Sequence, residues 1–479
     1  MRKLRGRPAA ALSAAVLAAG ISFAAAPALA APQAGPADVT TLTGSFADGA
    51  TYEIQVPDNW NGTLFLYSHG YVTPGSANPA QDVGDPVTGA YLLGHGYALA
   101  GSSYATTGWA IQQALPDQIA TLDAFSQRVG QPRHTIAWGH SLGGIITAGL
   151  IQTFPSRFSA ALPMCGVLSG GVATWNTALD AEFAFQQLIA PASNLQLVNI
   201  TNPVANLTSA ETIASQAQTT PAGQARLALV AALGDTPGWF TPLSPEPART
   251  DFAGQEANQF LWDTQVTFPF VFAFRAELEA RAGGNASWNT GVDYVRDLHQ
   301  SADFAEVKGL YKAAGLNLNA DLATLNHAAR IKADPSAVAY LARNITFNGE
   351  LRMPVLTMHT TGDGLVVPEN EQAYASVVRR AGDSRLLRQI FVNRAGHCAF
   401  TPAETISAVN VLLNRMQAGR WDDHALRTSS LNTAAAALGP GLNVFSSGGS
   451  VVATPAAFTS FQPTRYLRPF DQRPRRGRH

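Results

Sequence analysis

The sequence lacks the features that mark several large classes of protein. It has two cysteines among 479 residues and nearly balanced charge, with 32 basic and 33 acidic side chains. Balanced charge gives no sign of a nucleic-acid partner. The sequence also has no His-Glu-x-x-His motif, no paired-cysteine spacing and no glycine-rich nucleotide fingerprint. We therefore predict no metal, no cofactor and no nucleic-acid partner.

Long apolar runs are missing after the first 30 residues. Residues 1–30 carry four basic residues, then the apolar stretch 9–26, then the small-residue motif Ala28-Leu29-Ala30. This order is typical of a cleavable secretory signal peptide. The alternative is an uncleaved anchor, but the stretch is rich in alanine and Pro27 interrupts it. We expect a secreted, extracellular protein with no stable membrane insertion.

One segment has the pattern of a catalytic serine on a sharp turn. The apolar run 135–138 leads into Gly139-His140-Ser141-Leu142-Gly143, and a second apolar run, 144–151, follows with helical character. The glycines on either side of Ser141 remove side chains that would clash as strand and helix close together. A serine at a helix N-terminus also lies beside free N–H groups that can stabilise an oxyanion. The pattern predicts Ser141 as a nucleophile.

A serine nucleophile needs a base and a group that orients the base. The run 353–361 predicts a buried strand, and Asp363 lies in the loop that follows it. The run 386–392 predicts another strand, and His397 lies in its exit loop. In known triads whose serine lies on a strand-to-helix turn, the chain order is serine, acid, histidine. Ser141, Asp363 and His397 occur in that order.

These motifs resemble the α/β-hydrolase superfamily over residues 60 to 170 and 350 to 400. The resemblance implies an α/β fold with a mostly parallel, eight-stranded sheet, helices on both faces and a helical cap or lid inserted between strands 6 and 7. Ser141 would attack, His397 would carry the proton, and Asp363 would hold the imidazole. By the same analogy, the backbone N–H groups of Leu142 and Tyr71 would form the oxyanion hole, because Tyr71 follows a strand and a His-Gly pair.

The two cysteines fall at places that this fold would bring together. Cys165 ends the strand after the nucleophile helix, and Cys398 directly follows His397. In an exported protein they are expected to form a disulfide that holds the histidine loop, the alternative being two buried thiols. Tannases and fungal-type feruloyl esterases bond such a cysteine to one directly before the serine. Here His140 occupies that position, which argues against membership of that family.

The resemblance divides the chain into five parts. They are a signal peptide (1–30), the first part of the hydrolase core (31–170), a helical cap (171–347), the second part of the core (348–420) and a C-terminal extension with a basic tail (421–479). The cap is dense in aromatic residues, which could line an acyl or aryl pocket or simply pack the cap onto the sheet.

Three further residues are weaker candidates. Ser103 lies in a near-match to the serine motif, but Thr106-Thr107-Gly108 follows it where a helix would be needed. Tyr104 could reach the mouth of the cleft and bind substrate. Asp383 is an alternative acid, but its turn leads into a strand, at the opposite edge of the sheet from the other candidates.

The sequence thus predicts a serine hydrolase that cleaves a small-molecule or polymeric carboxylic ester through an acyl-enzyme. A peptidase or amidase and an acyltransferase could use the same triad. A non-catalytic binding module is a more remote alternative, because it would not need three triad residues. The natural ester lies beyond the sequence, since one fold hosts many chemistries.

Overall fold

The computed structural model describes residues 38–447 and 450–471. The predicted signal peptide and the last arginines of the basic tail lie outside this part of the chain. No helix within it has both the length and the apolar character needed to cross a membrane. The described residues form a large central sheet, a small two-stranded sheet and many helices.

The strands lie in chain order as follows: β1 Val39–Ser45, β2 Thr51–Pro57, β3 Thr63–Ser68, β4 Ala98–Ser102, β5 His134–His140, β6 Ala160–Met164, β7 Val355–Gly362, β8 Leu387–Ala395, β9 Val444–Ser447, β10 Ser450–Ala453 and β11 Phe458–Thr459. The large sheet has the order β1-β2-β4-β3-β5-β6-β7-β8-β11, and β9 pairs with β10.

The central sheet is mixed, with nine strands in the described part of the chain, so the prediction of a mostly parallel, eight-stranded sheet is wrong in this detail. Strands β3 to β8 run parallel. Both edges are antiparallel, because a short turn joins β1 to β2 and the C-terminal segment adds β11 to β8. The parallel centre brings the exits of its strands to one edge, here called the carboxyl edge.

The helices lie in chain order as follows: α1 Pro86–Gly94, α2 Ile111–Arg128, α3 Leu142–Thr153, α4 Gly171–Leu188, α5 Pro203–Ala217, α6 Pro221–Gly234, α7 Phe252–Trp262, α8 Arg275–Ala282, α9 Tyr294–Gln300, α10 Phe304–Ala313, α11 Leu318–His327, α12 Pro335–Arg343, α13 Glu369–Ala381, α14 Pro402–Ala418 and α15 Thr428–Ala437. Short 3₁₀ turns occur at Pro155–Arg157 and Ser384–Leu386, and π-helical segments at Asp263–Thr267 and Phe270–Phe274.

Two apolar cores cover the two faces of the sheet. On β3, Leu64 and Leu66 pack with helices α2 and α3, whereas Phe65 and Tyr67 face α1 and α14. This alternation is what a strand buried on both faces requires. Helices α4 to α12 lie in the chain between β6 and β7, and most of them share a third core that includes Phe272. We call residues 171–347 the helical insertion.

The C-terminal segment ties the helical insertion to the sheet. Arg468 forms an ion pair with Asp180 of α4 and donates to the carbonyl of Trp288. Thr464 donates to Glu369 of α13. The start of the basic tail is therefore packed on the protein.

The turn at Ser141 depends on close backbone packing between β3 and the start of α3. A Cβ atom built on Gly143 would lie 1.8 Å from the carbonyl oxygen of Ser68, and one on Gly139 would lie 2.4 Å from the same atom. Backbone atoms cannot rotate away as a flexible side chain can. The sequence Gly-x-Ser-x-Gly is thus needed to seat the serine turn against the exit of β3.

We predict that Gly143→Ala lowers the free energy of unfolding by about 3 kcal/mol, because the added methyl group meets a fixed backbone carbonyl. Gly94→Ala is the matched control, since a Cβ built there has open space. The control is expected to be neutral or slightly stabilising. Urea unfolding of both variants measures the difference, and equal stabilities would contradict the packing argument.

Candidate active site

Ser141 lies at the apex of the turn between β5 and α3. Its backbone has φ 58° and ψ −122°, a conformation that a residue with a side chain adopts only under constraint. The N–H of Ser141 donates to the carbonyl of Met164 at 3.1 Å, which fixes the turn to the end of β6. The side chain makes no capping hydrogen bond to α3, and Ser141 lies at the carboxyl edge, directly after β5.

Asp363 and His397 lie in direct contact at the same edge. His397 Nδ1 is 2.7 Å from Asp363 Oδ2, and the Asp363 side chain is fully buried. Asp363 Oδ1 accepts from the N–H groups of Leu365 and Val366, both at 3.0 Å. Burial by itself would raise the pKa of Asp363, but His397 and His359 beside it lower that pKa to about 2. Asp363 is therefore ionised near neutral pH and able to orient the His397 ring.

A disulfide joins the serine side of the site to the histidine side. Cys165 and Cys398 are bonded, with their Cα atoms 5.4 Å apart, and the N–H of Cys165 donates to Met358 of β7. Cys165 follows Met164, which anchors Ser141, and Cys398 follows His397. The bridge that we predicted is present.

Among the hydrogen bonds of the described residues, none joins Ser141 to His397. His397 Nε2 instead lies 3.4 Å from Cys398 Sγ. A hydrogen bond of this kind is often loose until substrate is bound. The structure therefore brings Asp363 and His397 into contact and places Ser141 at the same edge of the sheet.

The exit of β3 lies over the serine. A Cβ built on Gly70 would be 3.4 Å from Ser141 Cβ and 3.9 Å from its Oγ. The N–H groups of Tyr71 and Leu142 donate no hydrogen bond within the described part of the chain. Both candidate oxyanion donors are thus free to bind a developing negative charge next to Ser141.

Tyr104 and His69 hold this exit in place. Their rings stack at 4.0 Å, and the Tyr104 hydroxyl donates to the carbonyl of His69. Tyr104 is 2% exposed. A role in substrate binding stays a prediction, and the contacts found for Tyr104 support the loop that carries Gly70 and Tyr71.

Ser103 and Asp383 make contacts outside the Asp363 and His397 pair, whereas His140 directly precedes Ser141. Ser103 is buried and its hydroxyl donates to the carbonyl of Tyr104. Asp383 accepts from the N–H of Leu351 near the start of β8. His140 contacts the Tyr67 hydroxyl, and burial lowers its pKa to about 4, so it is neutral near pH 7. No cluster of three or more potential metal ligands occurs among the described residues.

The helical insertion packs directly on the loops that carry these residues. A Cβ built on Gly364 would lie 2.4 Å from the ring of Trp262, so this indole lies against the residue after Asp363. The Tyr71 ring contacts Phe270 and Phe274 of the second π-helical segment, with ring centres 5.0 and 5.9 Å apart. Such segments are frequent at functional sites.

Sequence reasoning missed two buried groups behind Asp363. His359 Nδ1 lies 3.2 Å from Glu371 Oε1, and its Nε2 lies 2.7 Å from the carbonyl of Val366. Both side chains are fully buried. The available signal was a histidine inside an otherwise apolar strand, because a buried polar group requires a partner.

Comparison with known proteins finds a similar curated protein and several similar solved structures. No protein-family model matches it. The chain is similar to the o-phthalyl amidase of Xanthobacter agilis, with 28% identity over 419 residues, which are 80% of this chain and 88% of that protein. Among solved structures it is similar to an esterase from Aspergillus oryzae, with 14% identity, a TM-score of 0.43 and 80% of each chain covered. It is also similar to feruloyl esterase B from the same organism, with 14% identity, a TM-score of 0.40 and coverage of 80% and 82%.

We predict that replacing both cysteines, Cys165→Ala with Cys398→Ala, lowers the free energy of unfolding. The bridge spans 233 residues, and the chain-entropy argument for so long a loop gives about 5 kcal/mol. Urea unfolding measures the loss, and reductant should weaken the parent protein without affecting the double variant. Two free thiols in the unfolded, unreduced protein would contradict the prediction.

Proposed function

We propose, from the α/β-hydrolase-like fold and the geometry of its carboxyl edge, that the chain is a secreted serine hydrolase that cleaves carboxylic esters. The observation that carries the proposal is the strained Ser141 at the same sheet edge as His397 and the buried Asp363, which are hydrogen-bonded to each other. A positive φ at a serine is costly and is found where function requires it. We assign the nucleophile to Ser141, the base to His397 and the orienting acid to Asp363.

The reaction then follows from the positions of these groups. His397 takes the proton of Ser141 as the hydroxyl oxygen attacks the ester carbonyl, and Asp363 stabilises the resulting imidazolium. The N–H groups of Leu142 and Tyr71 bind the oxyanion; losing one such donor typically costs about 3 kcal/mol in the transition state. His397 returns the proton to the leaving alcohol and then activates water, which hydrolyses the acyl-enzyme.

The helical insertion, residues 171–347, acts as a cap in this proposal. Trp262 lies against the Asp363 loop, and Phe270 and Phe274 lie against Tyr71. These aromatic rings border the place where an acyl group would sit, which favours a substrate with an apolar or aryl acyl group. Residues 31–170 and 348–420 are the hydrolase core, and 421–479 the C-terminal extension.

Export is part of the same proposal. The sequence of residues 1–30 has the order of a signal peptide, and the Cys165–Cys398 disulfide fits an oxidising compartment. The substrate is then a small-molecule or polymeric ester met outside the cytoplasm.

The experiment is hydrolysis of p-nitrophenyl esters from acetate to palmitate, together with labelling by a fluorophosphonate probe. Ser141→Ala should abolish labelling and lower hydrolysis by about 10⁴-fold or more, because it removes the attacking atom. Ser103→Ala is the matched control, since Ser103 belongs to the near-match motif and its hydroxyl is bonded away from the site. Labelling lost in Ser103→Ala and retained in Ser141→Ala would overturn the assignment.

Amide hydrolysis is the second candidate, because the curated relative is named an o-phthalyl amidase. The same triad can cleave an amide when His397 protonates the leaving amine. We predict that an amidase would hydrolyse the anilide of phthalic acid, with its carboxylate ortho to the amide, faster than the para isomer. Ser141→Ala controls for the spontaneous reaction. Equal rates on both isomers, or turnover of esters alone, would reject this candidate.

A further inference from the structure

A buried charged group lies behind the candidate triad. His359 is on β7, four residues before Asp363, and its side chain is fully buried. Its Nε2 is 2.7 Å from the carbonyl oxygen of Val366 and 3.6 Å from Asp363 Oδ2. Its Nδ1 is 3.2 Å from Glu371 Oε1 on α13. One imidazole thus contacts a carbonyl and two carboxylates.

The partners of the ring determine its protonation. A carbonyl oxygen can only accept, so His359 Nε2 carries a hydrogen. Glu371 Oε2 accepts from the Thr357 hydroxyl and from the Gln389 amide, so this oxygen carries no hydrogen. The hydrogen of the third contact lies between Glu371 Oε1 and His359 Nδ1. When Nδ1 holds it, both ring nitrogens are protonated and the ring is an imidazolium.

The surrounding charges agree with this protonation. Burial by itself would lower the pKa of His359, but its contacts with Asp363 and Glu371 raise that pKa to about 10. Glu369, also on α13, interacts electrostatically with His359 as well. The charged groups that face the ring are therefore Glu371 and Glu369 on one helix and Asp363 on the loop after β7, with His397 beyond Asp363.

His359 also closes a small loop of hydrogen bonds. Val366 accepts from His359 through its carbonyl and donates its N–H to Asp363 Oδ1 at 3.0 Å. A shift of His359 would move the N–H donor that orients Asp363. The two oxygens of a carboxylate move together because the group is planar and rigid. The donor to Asp363 Oδ1 therefore also fixes the direction in which Oδ2 points toward His397.

We propose that His359, held as an imidazolium between Glu371 and Asp363, is a positioning residue of the triad that fixes Asp363 and limits the basicity of His397. The proposal rests on the proposed function of Ser141, Asp363 and His397. A positive charge beside Asp363 disfavours a second positive charge on His397, since both face the same carboxylate.

The first test is the rate at which a fluorophosphonate labels Ser141 between pH 5 and pH 9. This rate needs no knowledge of the natural substrate and rises as His397 loses its proton. His359→Gln removes the positive charge and leaves a neutral side chain that can still form hydrogen bonds. We expect the acid limb of its profile to move to higher pH by about one pH unit, and the maximal rate to fall about tenfold.

Thr357→Val is the matched control, because Thr357 lies on the same strand and contacts the same Glu371 carboxylate. It disturbs the packing but leaves every charge in place, so its acid limb should coincide with that of the parent protein. An acid limb that is unmoved in His359→Gln, or moved equally in Thr357→Val, overturns the proposal.

The second test does not depend on activity or on the variant folding. In protein labelled with ¹⁵N at its histidine rings, we expect His359 to remain doubly protonated at pH 8.5. Its signal is assigned by its loss in His359→Gln or, if that variant does not fold, by its shift in Thr357→Val. A neutral His359 ring overturns the proposal even in an active enzyme. Failure of the parent protein to react with the probe would instead reject the proposed function.

Discussion

The parallel pairing of β3 to β8 is the constraint on which the candidate site depends. Parallel strands end at the same edge of a sheet, so Ser141 after β5, Asp363 after β7 and His397 after β8 meet there, although they are far apart in the chain. The exit of β3 joins them and places Gly70 beside the serine. The sheet brings these residues near one another, and helix packing and loop contacts then fix their exact positions.

Two kinds of bond fix the loops at this edge. Hydrogen bonds orient single groups, as Leu365 and Val366 do for Asp363. The Cys165–Cys398 disulfide acts differently, because it is a covalent link between two loops. One loop is the exit of β6, where Met164 accepts from the N–H of Ser141, and the other carries His397. A loop held only by hydrogen bonds can open locally, whereas the covalent link limits how far the histidine can move from the serine. The distance between the candidate serine and the candidate histidine is thus constrained from both sides.

The sequence predicted those parts of the fold that depend on residues close together in the chain. The Gly139 to Gly143 motif predicted the strained turn, since only glycine tolerates the contacts with Ser68. The strand predicted before the His-Gly pair and Tyr71 is β3, and Asp363 and His397 follow strands as expected. The edges of the sheet were not predictable in the same way, because β11 is only two residues long and pairs with β8 across a large separation in sequence.

The helical insertion shows a second limit of local reasoning. Over 211–233 the chain ends α5 and begins α6, and Thr220 caps α6 by accepting from the N–H of Gly223. Residues 270–274 form a π-helical segment, which turns Phe270 and Phe274 toward Tyr71. Hydrophobic periodicity does not distinguish a π-turn from an α-turn, so the aromatic contacts with the candidate site were not predictable.

His359 was missed for a different reason: its role depends on charges that meet only in the folded protein. A histidine in an apolar strand costs free energy when charged, unless carboxylates accompany it into the core. Glu371 supplies one from α13, and Asp363 supplies the other from the loop after β7. The charge of His359 thus accompanies two buried carboxylates, so α13, β7 and the Asp363 loop are held together by charge directly behind the candidate triad.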